Sequence, residues 1–230
     1  MVSEPAVNGN GRITLAQVKA NPKVIALITG ANEVMKAMGY TEHGFRHVGV
    51  VSTITRYILE RLGVEGREAE LGQIAGYLHD IGNSVNRRDH PTIGAGLAYN
   101  ILTEMGMPIE EIVPILAAIG NHEESAGQPV SKMSAALIIA DKSDVHFSRV
   151  QETDPEQFDI HDKVNNAVQK SRIEMDDLTK VITLELEIDT DQATVMEYFE
   201  IFLSRMVMCR NSAALFGWRF ALQVNGTLVE

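Results

Sequence analysis

In chain order, His47, the adjacent pair His79-Asp80, His90, His122 and Asp141 are the residues of this sequence best suited to chemistry. Neutral imidazole and ionised carboxylate are the donors that hold Mn, Fe, Co, Zn or Mg at hydrolytic centres. Neighbours on a helix point about 100° apart, so His79 can ligate one ion while the two oxygens of Asp80 bridge to a second. Two ions about 3.5–4 Å apart can neutralise a phosphoryl oxygen and support in-line attack on phosphorus. Taken alone, each residue has a plainer reading: His47 or His122 as a core histidine, His90 as a helix cap, Asp141 as a turn residue or a partner of Lys142, Asp80 as a partner of an arginine. Those readings each require a separate costly polar group at a buried helix end, whereas one metal cluster explains them together.

The elements that must position this set are helical. Periodicity begins near Thr14, Asn21-Pro22 breaks it, and a second helix is expected over 23–38. A long amphipathic helix then carries His47, Val51, Ile54 and Ile58 on one stripe and closes at Gly63. The next, from about Arg67, turns Leu71, Ile74, Ala75 and Leu78 inward, with Gly72 and Gly76 permitting a close approach. It ends at His79-Asp80-Ile81-Gly82, where Gly82 suits a left-handed cap. His90-Pro91 reads as an N-cap followed by proline at the first helical position, opening a helix through Leu102. Another helix starts at Met107-Pro108 with Ile112, Ile115, Ile119 and His122 on its stripe, and an apolar helix over 133–140 delivers Asp141.

After Arg149 the pattern changes. Ile182, Leu184, Leu186 and Ile188 alternate with Thr183, Glu185 and Glu187, the period of a strand with one wet face. A long amphipathic helix spans 197–215, capped by Gly217. Phe220, Leu222 and Val224 alternate again before an Asn225-Gly226 turn. The fold class expected is mainly α, a helical bundle with a small C-terminal α+β unit of three antiparallel strands and one covering helix. The expected organisation is a tail over 1–12, a metal-binding bundle over 13–150, and an accessory or dimerisation unit over 151–230.

Composition bounds the rest. The 230 residues are 45% hydrophobic and 22% charged, as in globular chains. The single cysteine, Cys209, excludes an internal disulfide and a cysteine-based zinc site. No run approaches the roughly 20 apolar residues that span a bilayer, and the acidic N-terminus is unlike a signal peptide, so a cytoplasmic setting without membrane attachment is expected. With 31 acidic against 20 basic residues, the net charge of −11 argues against polymeric nucleic acid as partner. A small anionic substrate is compatible, because bound divalent ions supply local positive charge.

The set of motifs resembles the HD phosphohydrolase superfamily, whose pattern is His, His-Asp, further His and a closing Asp. The matching stretches are Arg46-His47-Val48-Gly49-Val50, Tyr77-Leu78-His79-Asp80-Ile81-Gly82 and Ile139-Ala140-Asp141-Lys142. His90, in His90-Pro91-Thr92, and His122, in Gly120-Asn121-His122-Glu123-Glu124, resemble the added ligands of members with two or more metals. Order and context over about 40–150 are especially similar to HD-type symmetrical diadenosine tetraphosphate hydrolases, including an arginine at Arg149. Members often carry Lys shortly after His-Asp, where this chain has Asn83. The cyclic-dinucleotide phosphodiesterase branch carries Gly-Tyr-Pro after His-His-Glu, and residues 121–129 lack it.

The resemblance implies an HD helical bundle and a metal-dependent hydrolysis of a nucleotide or related small phosphate ester by metal-activated water. Its ligands would be His47, His79, Asp80, His90, His122 and Asp141, binding a pair of divalent metals (Mn, Fe, Co, Mg or Zn) with Asp80 bridging. Alternatives are a cyclic-dinucleotide phosphodiesterase, a metal-binding sensory module with little catalysis, and an oxygen-using di-iron enzyme. Arg149 and His146 are candidates for phosphate contact and leaving-group acid, with solvated helix-exit residues as the other reading; Lys142 has the same choice. Asp144 is a candidate to orient a ligand histidine, and Arg87-Arg88 a candidate phosphate clamp. His43 reads as exposed near a helix start, and His161 has no evident partner. Met196, Met206 and Met208 read as packing or as a surface for a homodimer.

Overall fold

The computed structural model describes residues 12–229. Of the expected tail, 1–11 lie outside the described residues, and Arg12 meets Glu70 at 2.7 Å. Seven helices form the N-terminal bundle: α1 (Leu15–Ala20), α2 (Pro22–Ala37), α3 (Phe45–Arg61), α4 (Gly66–Leu78), α5 (His90–Glu104), α6 (Ile109–Gly120) and α7 (Lys132–Lys142). There follow α8 (Ile160–Ala167), β1 (Val168–Asp176), β2 (Val181–Ile188), α9 (Val195–Leu215), β3 (Arg219–Val224) and β4 (Thr227–Val229). No helix among the described residues is long and apolar enough to cross a membrane.

Local chemistry sets the helix starts. Thr14 and Gln17 cap α1 reciprocally, and Asn21 accepts from the Lys23 amide at the head of α2, with Pro22 in its first turn. At α3 the cap comes from outside the helix: the Glu42 carboxylate accepts from the amides of Gly44 at 2.7 Å and His47 at 3.2 Å. This fixes the first turn of α3, on which His47 stands.

Two glycines bring the site-bearing helices together. A Cβ on Gly76 would lie 2.9 Å from Ser52 Cα, so α4 crosses α3 in near backbone contact. Gly82 departs from the left-handed cap expected of it, since it does not have positive φ. It belongs to a 3-10 turn over Ile81–Ser84, and a Cβ there would lie 2.0 Å from the His90 carbonyl oxygen. The need for glycine is crowding rather than φ. The start of α5 also differs by one residue: Asp89 is the N-cap and His90 the first helical residue.

α7 is buried almost all round, with Leu137, Ile138 and Ile139 fully buried. Each such side chain contributes about 1.5–3 kcal/mol relative to exposure. One apolar core runs from Ile58 and Leu59 of α3 and Ala136 and Ile139 of α7 to Leu184 of β2 and Tyr198 and Phe202 of α9. The C-terminal segment thus packs directly on the helix that ends in the site.

Its sheet has four strands in the order β1-β2-β3-β4 rather than three antiparallel ones, and β2 pairs with β3 in parallel. α9 forms the crossover that parallel strands require. The alternation of β2 is as expected, with Ile182, Leu184, Leu186 and Ile188 buried. Asn225 (φ 49°) and Gly226 (φ 81°) turn the β3–β4 hairpin. Met206 and Met208 are buried in the core side of α9, whereas Met196 is 76% exposed.

Candidate metal centre

His47 on α3, His79 at the end of α4 and Asp141 in the last turn of α7 meet at one point. His47 Nε2 lies 3.3 Å from His79 Nε2 and 3.4 Å from Asp141 Oδ1. Asp80 closes this group, its Oδ2 being 3.4 Å from His47 Nε2 and 3.3 Å from His79 Nε2.

A second group adjoins it. His90 Nε2 and His122 Nε2 are 3.0 Å apart, and the other oxygen of Asp80, Oδ1, lies 3.4 Å from the first and 3.7 Å from the second. Glu123 Oε2, 3.8 Å from His90 Nε2, is a further donor. Asp80 is therefore shared, with one oxygen for each group. The shared oxygens follow from local geometry: Asp80 sits at the break between α4 and the Ile81–Ser84 turn, where the chain leaves one helix for the other cluster.

All four imidazoles are held in one tautomer. His79 Nδ1 donates to Gly76 O at 2.9 Å, His90 Nδ1 to Arg87 O at 2.8 Å and His122 Nδ1 to Ile119 O at 2.6 Å, each three residues back. His47, within its helix, has no free carbonyl to use and donates instead to Asp144 Oδ2 at 2.7 Å. Every Nε2 thus turns an unprotonated lone pair inward when the ring is neutral, the orientation a metal ligand needs.

The donor set fits divalent ions. Donors about 2.0–2.2 Å from a common ion stand about 2.8–3.6 Å apart at octahedral or tetrahedral angles, and the closest separations here, 3.0–3.4 Å, match. Asn83 supplies a second sign: fully buried, its amide donates to Asp80 Oδ1 at 2.9 Å while its own Oδ1 has no partner. Buried ionised carboxylates are costly unless cations or donors face them, and the protonation of the cluster reflects the mutual contacts of its histidines and carboxylates. Burial pulls the His47 imidazole down and Arg149 repels its charge, but hydrogen bonds with Asp141, Asp144 and Asp80 outweigh both and lift it to about 9. For His79 burial again lowers, and Asp80 and Asp141 raise it to about 10. Burial would raise Asp80 and Asp141, but His79 and Lys142 respectively lead the contacts that hold them well below the carboxylate range. His90 differs: burial dominates and leaves it at about 4.

The flanking candidates are placed as follows. Asp144 accepts from His47 and also from Arg46 Nη1 at 2.7 Å. Arg149 is buried, and its guanidinium donates to the backbone carbonyls of Asp144 (2.8 Å) and Glu42 (2.8 and 3.1 Å), which ties the Glu42 loop to Asp144. His146 caps the 3-10 turn Phe147–Arg149, with Nδ1 2.7 Å from Ser148 Oγ, and does not join either donor group. Lys142 is buried against Asp141 and Glu124 rather than solvated. Arg87 lies beside the second group, Nη1 3.0 Å from His90 Nδ1 and Nη2 3.4 Å from Glu123 Oε1; Arg88 is exposed. His43 is half-buried, its ring 5.4 Å from that of His47, and His161 packs edge-on to Phe202. Glu42, Arg46 and Glu123 are site residues that sequence reasoning did not assign a role; only Glu123, next to His122, carried a local signal.

The sequence profile of the HD domain matches residues 44–162, just over half of the chain and inclusive of every donor named above. This chain belongs to the HD domain family of metal-dependent phosphohydrolases. A search among curated proteins gave no match.

Proposed function

We propose that this protein hydrolyses a nucleotide or a related small phosphate ester at a centre of two divalent ions. The observation that carries the reading is Asp80, whose two oxygens face two separate imidazole pairs at ligand spacing. His47, His79 and Asp141 would hold one ion, His90, His122 and Glu123 the other, and Asp80 both. Bound there, divalent ions supply Lewis acidity to a phosphoryl oxygen and lower the pKa of water. The thiolate-free set offers imidazoles, which suit Fe or Zn, together with carboxylates, which suit Mn or Mg.

The chain's own part is positioning. Asp144 and the carbonyls of Gly76, Arg87 and Ile119 keep the four rings aimed inward. Arg87 is the cation placed to take a substrate phosphate, at the edge of the second group. Arg149 and Arg46 act through Asp144 and hence through His47. The motif order resembles the symmetrical diadenosine tetraphosphate hydrolases, which makes dinucleoside polyphosphates the first substrates to try. A cytoplasmic setting and a homodimer through the exposed Met196, Leu203 and Val207 of α9 belong to the same reading, and light scattering tests the dimer.

Turnover by Mn-supplemented protein against dinucleoside polyphosphates, mononucleotides and cyclic dinucleotides is the direct test. Metal-dependent hydrolysis of one class, lost in Asp80→Ala, is expected. Stoichiometric metal without turnover on any class would instead favour a sensory module. Asn83 is the feature on that side, since it stands where families with the His-Asp motif often carry Lys and is here buried against Asp80.

A further inference from the structure

Asp141 presents only one oxygen to the first donor group. Its other oxygen, Oδ2, is held at 2.9 Å by the ammonium of Lys142. That ammonium is buried, with 4% of its side chain exposed, and lies 2.6 Å from Glu124 Oε2. Glu124, in the loop between α6 and α7, is gripped on its other oxygen by Arg205 Nε at 3.2 Å. Arg205 belongs to α9 and is itself braced over the Phe202 ring, 4.6 Å from its centre. A continuous chain of ion pairs therefore runs from the C-terminal helix to a candidate ligand.

We propose that Lys142 is a positioning residue of the metal centre, fixing Asp141 as a one-oxygen ligand, and that Glu124 and Arg205 hold Lys142 in place. The inference rests on the metal-centre reading above. The physical reason is that a free carboxylate rotates and can present either oxygen, whereas one oxygen tied to a buried cation leaves a single orientation for the other. A long lysine side chain would not stay buried at that point without a second anion, and Glu124 supplies it. The C-terminal segment thereby becomes part of the site's support: α9 contributes the outermost cation of the chain.

Titration of metal-stripped protein with Mn, followed by calorimetry, tests this. Wild type should bind two equivalents. Lys142→Met should lose about 10–100-fold in affinity for one equivalent, the usual cost of removing a partner behind a ligand, and weaken the other less, since its ammonium stands 3.7 Å from Glu123 Oε2 against 2.9 Å from Asp141. Lys142→Arg should restore part of the loss, and Arg205→Ala should show a smaller loss on the same equivalent. Unchanged or tighter binding by Lys142→Met would overturn the inference, the latter by showing that the ammonium only repels metal; so would equal weakening of both equivalents. If circular dichroism shows Lys142→Met unfolded, Glu124→Gln and Arg205→Ala decide, and wild-type affinity in both would refute it. Absence of metal binding in the wild type would refute the metal centre itself, a separate outcome.

Discussion

Asp80 Oδ1 lies 3.4 Å from His90 Nε2, so a residue at the end of α4 and the first residue of α5 contribute donors to one group. The same carboxylate reaches His47 and His79 through Oδ2. Replacing it by Asn preserves shape while exchanging one oxygen for an amide that cannot ligate. Asp80→Asn should lose at least one equivalent of metal and lower hydrolysis by at least about 100-fold, with the far-ultraviolet circular dichroism unchanged.

Asp144 touches no proposed metal position, yet it takes the Nδ1 proton of His47. Asp144→Asn leaves the ring free to turn or to change tautomer. Metal affinity should fall about 10–100-fold, measured by Mn titration, and kcat/KM should be recovered in part at high Mn.

Among the described glycines an added Cβ would meet its closest neighbour at Gly82, and the missing Cβ is what lets the His90 carbonyl approach. Gly82→Ala should destabilise by about 1–3 kcal/mol or more, because backbone on both sides resists movement. Urea unfolding of the metal-stripped protein measures it.

Much of this site was legible in sequence because its ligands stand at helix ends, where an apolar stripe stops and a polar residue is conspicuous. His79, His90, His122 and Asp141 are of that kind. Glu42 and Arg149 were not legible as supports: they meet through a loop and a 3-10 turn far apart in sequence, and their types fit an exposed surface equally well. Period-two alternation is the same for parallel and antiparallel pairing, so the direction of β3 was legible only through the helix over 197–215, which stands between the two strands as a parallel crossover requires. α8 and β1 escaped because Asn165 and Asn166 interrupt the apolar pattern of one and Gln169, Lys170 and Arg172 that of the other.

Protonation gives the two donor groups different pH behaviour. The carboxylates around them raise His47 and His79 to about 9 and 10, so protons compete with metal for this pair and are released when metal binds. His90, at about 4, is already neutral. Raised values in the folded state stabilise metal-free protein fully below the unfolded imidazole pKa of about 6.5 and lose that effect as pH rises through about 9–10. The melting temperature of stripped protein should therefore fall between pH 7 and 10, while metal affinity rises over the same range. Calorimetry in buffers of different ionisation enthalpy should count protons released with the equivalent assigned to His47 and His79.

The most direct single measurement is the metal content per chain of protein purified without added metal and then loaded with Mn, compared between wild type and Asp80→Asn. Two ions per wild-type chain, with at least one lost in the variant, is the result that a shared Asp80 carboxylate requires. No stoichiometric metal in the wild type, or the same content in both proteins, would contradict it.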